Sequence, residues 1–275
     1  MAQPSPVQTS MSASPGNAPA GTIDNQMDAE VKSRRAASAL TPGRLALFVA
    51  LLSTVRAPVA ADSATDVDAI IATGGSTAGV QTLTTTSLDG VVGDDAMRVA
   101  RNLTFTFSAH ADWDATTATV VGKDVHGEYL SETFAIPNGG NATVTGNALF
   151  SQVDSVSIPA QSGTGGTFTM GVGAKLGPLD FAAAGVVALE NTRATAAYAS
   201  TEMAPIVRKG RVRVTSEEAV VEGGPVFVRL VVSGDEVYGV FRATPDSTDC
   251  ARLLSAKWAE TTSTAGAPLL DINLP

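Results

Sequence analysis

The run RNLTFTFS at residues 101–108 sets Leu103, Phe105 and Phe107 at every second position, with polar residues between them. A period of two belongs to a β-strand with one buried face, because a helix would need apolar residues at a period of 3.6. Comparable short runs follow at TATVVGKDV (117–125), EYLSETFAI (128–136), NATVTG, VDSVSIP and GTFTMGVG. They are separated by HG, NGGN and QSGTGG, which are turn-forming sequences. His126–Gly127 is the expected hairpin turn, and Tyr129 or Leu130 sets the inward parity of the strand after it. Six or more short strands at this spacing predict a β-sandwich over residues 62–181.

The flanking sequence is also β in character. Residues 45–52 form an apolar run after a TPG turn and predict a buried strand. A strand is expected over 208–214. In the next, Val226, Val228, Leu230 and Val232 share a face, after a GGP turn. Residues 237–243 predict a third strand, and residues 252–260 and 268–275 a closing hairpin. Residues 23–40 carry mixed charge and predict one short helical turn or a loop. Residues 1–22 are low in complexity and lack any apolar period, so they predict an extended arm that needs a neighbour to hold it.

Charge divides the chain more sharply than hydropathy does. The net charge is −9. Residues 62–181 hold 4 cations against 13 acids, and the remainder holds 14 of each. The acidic block is expected to stay solvated, and the neutral remainder to pack against neighbours. One segment imitates an export signal: residues 43–64 carry an upstream Arg, an apolar run and Ala-Pro-Val-Ala before an acid. Arg56 interrupts its end, the run is too short to span a bilayer, and a buried strand is the preferred reading.

Few residues are suited to chemistry. The single cysteine, Cys250, allows no intrachain disulfide and is expected to be a buried thiol. His110, Asp112 and Asp114 in AHADWD would share one side of a strand, but a transition-metal site draws ligands from several elements, so a polar loop is expected. GDD at 93–95 reads as a turn. The Gly-rich run at 163–173 is followed by more β sequence, where a phosphate-cradling loop would need a helix. Asn102 and Asn141 begin glycosylation sequons. No catalytic residue, metal ligand or cofactor is expected.

The segment 206–232 stands apart. Arg208, Lys209, Arg211 and Arg213 are followed by Glu217, Glu218 and Glu222. In a strand Val207, Lys209, Arg211 and Arg213 share one face. Nucleic-acid binders show broader basic surfaces, commonly with aromatics, and this stretch has none. Adjacent charges of opposite sign suit either cross-strand pairs within the chain or a complementary contact between subunits.

The ordered string KGR (209–211), EEAV (217–220), GPVFVR (224–229) and G-x-FRA (239–243) resembles the structural cement, or capsid decoration, proteins of tailed bacteriophages. APLLDINLP (267–275) looks like that family's closing strand, and residues 21–49 are similar to its N-terminal segment. The resemblance covers about residues 21–61 and 182–275. It skips the acidic block, which more loosely resembles a β-module of phage structural proteins.

The resemblance implies an all-β chain: a discontinuous β-barrel or jelly-roll-like base domain (23–61 and 182–275) carrying an inserted acidic β-sandwich (62–181). It implies a virion protein on the outer capsid surface. The expected partners are the major capsid protein and copies of itself, as dimer or trimer, with no direct nucleic acid and no membrane. The insert would project outward, where it could touch a host surface or glycan. Arg208, Lys209, Arg211, Arg213, Glu217, Glu218 and Glu222 are the expected partner-binding residues. The competing expectation is an exported bacterial surface or adhesive β-protein. A glycan hydrolase would need paired carboxylates in a groove.

Overall fold

The structure is a computed structural model that describes residues 19–24, 29–49, 54–62, 64–84, 86–90, 92, 97, 99–180, 182–189 and 197–275. Most of the expected N-terminal arm and all of the GDD turn lie outside the described residues. In chain order the strands are β1 (Glu30–Ala36), β2 (Leu45–Phe48), β3 (Thr54–Arg56), β4 (Asp66–Gly75), β5 (Gln81–Leu83) and β6 (Arg101–Phe107). Then come β7 (Thr117–Lys123), β8 (Tyr129–Ala135), β9 (Ala142–Thr145), β10 (Gln152–Ile158), β11 (Thr167–Leu176) and β12 (Ala183–Val187). The last are β13 (Met203–Arg213), β14 (Val226–Arg229), β15 (Phe241–Arg242), β16 (Cys250–Leu253), β17 (Ala256–Trp258) and β18 (Leu269–Asn273). Among the described residues the sole helical element is a 3-10 turn, Ala60–Asp62.

The largest sheet runs β1-β3-β2-β12-β13, and β1 pairs back onto β13. Those five strands close into a barrel, mixed because β1 and β3 run parallel. A five-stranded barrel encloses little space. Its interior is lined accordingly by Ala36, Ala46, Ala184 and Ala204, with Leu40, Val55, Val187 and Ile206 around them. Tyr198 is fully buried among these residues, and its hydroxyl donates to the Ala188 carbonyl at 2.9 Å.

The barrel wall is buried on its outer side too. Along β2, Ala46 faces inward while Leu45 and Leu47 join a second core outside. That core includes Val186 and Val207 from the barrel, and Val226, Val228, Phe241, Leu253 and Trp258 from the strands packed over it. β18 and β17 extend the sheet from the C-terminal half of β13, and β15-β14-β16 form a separate three-stranded sheet. Burial on both faces explains why β2 and β12 read as continuous apolar runs without alternation.

Strands β4 to β11 form two further sheets, β5-β10-β7-β8 and β4-β11-β6-β9, each wholly antiparallel. A third core lies between them. Leu103, Phe105, Phe107, Phe168 and Met170 come from one sheet, and Val120, Phe134, Val153 and Val156 from the other. The Phe105 and Phe134 ring centroids lie 4.9 Å apart across it, and Trp113 meets Phe107 edge-on at 5.1 Å. The period-two reading of 101–108 therefore holds for its odd residues. Gly127, at φ +80°, turns β7 into β8 as expected, and Leu130 with Phe134 takes the inward parity, leaving Tyr129 exposed.

Two buried arginines order the chain where it passes between the barrel and these sheets. Arg56, which interrupts the apolar run, is buried and grips the Asp62 carboxylate. Arg101 donates to the carbonyls of Asp62 and Ala64 at 3.3 and 3.2 Å and also to Gly173. On the return, the Asp180 carboxylate accepts the N–H groups of Leu254 and Ser255 at 2.9 and 2.5 Å.

Of the third strand expected over 237–243, only Phe241–Arg242 is a strand, because a turn occupies the residues before it. Residues 30–36 are a strand, where a helical turn or loop was expected. Most of β1 is exposed, so no apolar period marks it. Its ladder with β13, from Glu30–Lys209 to Arg35–Met203, holds it in place.

Candidate functional site

The expected site begins on β13, the longest strand. Its even residues Ala204 and Ile206 face the barrel interior, whereas Val212, and Val214 just past its end, face the outer core. The change of surroundings falls about Gly210, whose φ is +116°. There the strand leaves the barrel, exchanging β12 for β18 along one edge. The single shared face expected for Val207, Lys209, Arg211 and Arg213 is therefore split. Val207 lies in the outer core, Lys209 and Arg211 are exposed, and Arg213 is only 5% exposed.

Arg213 is held internally. It donates to the Glu260 carboxylate at 2.7 Å and to the Ala267 carbonyl at 2.8 Å. Arg211 faces Asp271 across the β13–β18 ladder at 3.9 Å, with both side chains about half exposed. Lys209 stands opposite Glu30 and Asn273. Arg208 donates to the Pro275 carbonyl, and its guanidinium lies 5.6 Å from the Phe48 ring centroid.

The acids divide in the same manner. Glu217 accepts from Arg229 Nε at 2.8 Å and from Arg242 at 2.8 Å. Glu218 accepts the N–H groups of Ala243 and Thr244, both at 2.8 Å, and the Thr244 hydroxyl at 2.9 Å. Burial pushes the Glu218 carboxyl up, but these hydrogen bonds and nearby Arg242 outweigh it and hold it below the usual range. Glu222 is exposed.

At the centre of this network is Arg229, with no exposed surface. It meets Glu217, Glu236 at 3.0 Å and Asp246 at 2.9 Å. Burial pulls its guanidinium down, and the bonds to Glu217 and Asp246 more than reverse that. A buried charge needs partners on every side, and this one has three carboxylates. The sequence shows Arg229 merely as the end of a β-strand; Glu236 and Asp246 arrive from the loops after it, 7 and 17 residues later. No local spacing could have marked them as one cluster.

An open groove runs beside the exposed cations. Asp24, Lys209, Arg211, Leu254, Lys257 and Asp271 line it. It mixes both signs of charge on a sheet surface.

The other candidates lie in turns, strands and the core. His110, Asp112 and Asp114 lie in the turn between β6 and β7. Asp112 accepts the Gly165 N–H at 2.7 Å, and Asp114 accepts the Ser162 hydroxyl at 2.7 Å. Among the described residues no group of three possible metal ligands converges. The Gly-rich run leads into β11, a strand. Cys250 is buried, and burial pushes its thiol up to about 11, away from nucleophilic use at neutral pH. Asn102 of the first sequon is buried, with its amide donating to the Gly146 carbonyl. Among the described residues no helix is long and apolar enough to cross a membrane. Compared with known proteins, the chain matches no family model and no curated sequence.

Proposed function

We propose that this chain is a virion structural protein, a capsid cement or decoration protein that binds and stabilises an assembled icosahedral shell. In this reading the five-stranded barrel and its sheet extension are the docking base, the counterpart of the family's barrel or jelly-roll-like base. The two sheets between β4 and β11 are an inserted sandwich that projects outward. The observation carrying the reading is how charge is distributed over the fold. The acid excess belongs to residues 62–181, while the barrel's extension displays Lys209, Arg211 and Lys257 interleaved with Asp24 and Asp271 beside an open groove. A surface of alternating sign favours a complementary protein lattice over a polyanion.

The contact residues are then Arg208, Lys209, Arg211 and Glu222. Arg213, Glu217 and Glu218 act from behind, holding the strands that present them. The partners are the major capsid protein and further copies of this chain, in dimers or trimers, with neither nucleic acid nor membrane directly engaged. A host surface or glycan would be met by the sandwich. Each copy binding the assembled lattice in preference to free subunits stabilises that lattice by linkage.

Quantitative mass spectrometry of virions purified from the phage encoding the chain is the test. High copy number is expected, and occupancy should fall about tenfold in Lys209→Glu with Arg211→Glu. Absence from the virion refutes the function. Undiminished occupancy of the double variant removes the strip from the contact.

A further inference from the structure

Several arginines that the fold draws away from water are partnered. Arg56, Arg213 and Arg229 each meet a carboxylate, and Arg101 donates to backbone carbonyls. Arg44 differs. It is half-buried, its Nε is shut off from solvent, and among the described residues that atom meets no acceptor. Two carboxylates of adjoining segments are engaged elsewhere, Asp62 by Arg56 and Glu236 by Arg229 at 3.0 Å. Burial holds the Arg44 guanidinium below the usual arginine value, with no charge partner to reverse the shift. A cation drawn from water without a counter-ion is unfavourable, and an anion reaching it would relieve that cost.

Arg44 lines a cavity at the barrel rim where β2 begins and β3 and β12 end. Leu40, Leu45, Pro58, Val187 and Val237 give the cavity apolar walls, and Thr41 and Tyr238, which also line it, carry hydroxyls. The segment bearing Val237 and Tyr238 is fixed in place by Gly239. The Gly239 carbonyl accepts the Leu45 N–H, and its own N–H donates to the Arg229 carbonyl, both at 3.0 Å. The cavity volume, about 160 Å³, is close to that of an engineered cavity of roughly 150 Å³ that takes up benzene. A purely apolar guest would leave the guanidinium unpaired, and an inorganic oxyanion would leave the apolar walls unfilled. A compact apolar body carrying one carboxylate satisfies both, because the guanidinium fork matches a carboxylate.

We propose that the Arg44 cavity binds a small organic carboxylate, with its carboxylate on the guanidinium and its apolar body against Leu40, Pro58 and Val237. This site is separate from the exposed strip of β13, and it does not rest on the capsid reading.

Benzoate is the probe, with benzamide as its uncharged counterpart and inorganic phosphate as an anion without an apolar body. The full-length chain, labelled with nitrogen-15, is titrated with each at constant ionic strength while the arginine Nε–H resonances are followed. The Arg44 signal is the one lost in Arg44→Met. Benzoate is expected to shift it saturably, and to bind about tenfold or more tightly than benzamide or phosphate. Calorimetric titration of Arg44→Met, which keeps apolar bulk, should show benzoate affinity lowered by about tenfold or more. Lys257→Met removes a cation from the groove beside β13 and should bind benzoate as the unaltered chain does. Without benzoate, the thermal midpoint of Arg44→Met should be unchanged or raised, because an unpaired charge has been removed. A lowered midpoint would mean that the guanidinium already has a partner and would count against the site. No shift of the Arg44 signal, equal binding of benzamide or phosphate, or full affinity in Arg44→Met would overturn the proposal.

Discussion

Arg229 is the residue on which the C-terminal region depends most. Its side chain has no contact with solvent, yet its carboxylate partners remain 19% to 40% exposed. Removing it would leave Glu217, Glu236 and Asp246 crowded without a cation. Breaking a buried ion pair from one side costs about 3–5 kcal/mol, and the partners' exposure puts Arg229→Met near the low end. Denaturant titration of that variant reads the loss directly; a change below about 1 kcal/mol would show that the network is not stabilising. The same network sets an acid limit. Asp246, through its bond to Arg229, and Glu218 are both held below their ordinary values of 3.8 and 4.5. A carboxyl with a depressed folded value binds fewer protons folded than unfolded. Its contribution is therefore complete above pH 4.5 and is lost as pH falls through the folded values. Stability measured downward from neutral pH should hold to about that point and then drop. In Glu218→Gln the drop should be shallower.

At the scale of elements, β13 organises the barrel by serving several neighbours in turn. Gly210 lets it do so: φ +116° is a region that side chains avoid, and a Cβ there would stand 2.9 Å from the Ala29 Cα. Gly210→Val should cost about 1–3 kcal/mol in strain and overlap. The damage should concentrate in β1, so amide hydrogen exchange there should accelerate more than in β14. Equal acceleration in both would mean that Gly210 does not locally secure the barrel's closure. β13 also shows how far sequence reaches. Alternation marked its basic half and marked β6, β7 and β8, because each buries one face against a neighbour. The first half of β13 and all of β1 were missed or misread, for opposite reasons. Val207 and Ile206 are buried on both sides of a barrel wall, which erases the period. β1 is largely exposed on both sides, which leaves no period to find. The site was legible to the same extent. The charges on 208–222 were plain, but which of them are consumed internally depended on Glu260, Arg229 and Arg242, distant in sequence. Phe48 reached the basic strand only through barrel closure.

At the scale of the whole molecule, the cores are separate bodies of apolar surface. The sandwich core draws on residues 69–172, whereas the barrel interior and the outer core draw on the barrel and C-terminal strands. Val99 and Leu179, near the two crossings, pack into the outer core, and Arg101 and Asp180 tie the crossings by hydrogen bonds. Cooperative unfolding as one unit would require a continuous core, which these few contacts do not supply. The chain should therefore unfold in two steps, and a core substitution should move one of them. Phe105→Ala, which deletes a ring stacked on Phe107 and packed at a tilt against Phe134 and Phe168, should lower the sandwich transition by about 3–5 kcal/mol. Val228→Ala, in the outer core, should shift the other transition by about 1–3 kcal/mol. Calorimetry of the full-length chain with each substitution separates the cases. Movement of one transition per variant is the expected outcome. A single transition displaced by both variants would mean that the residues at the crossings couple barrel and sandwich into one folding unit.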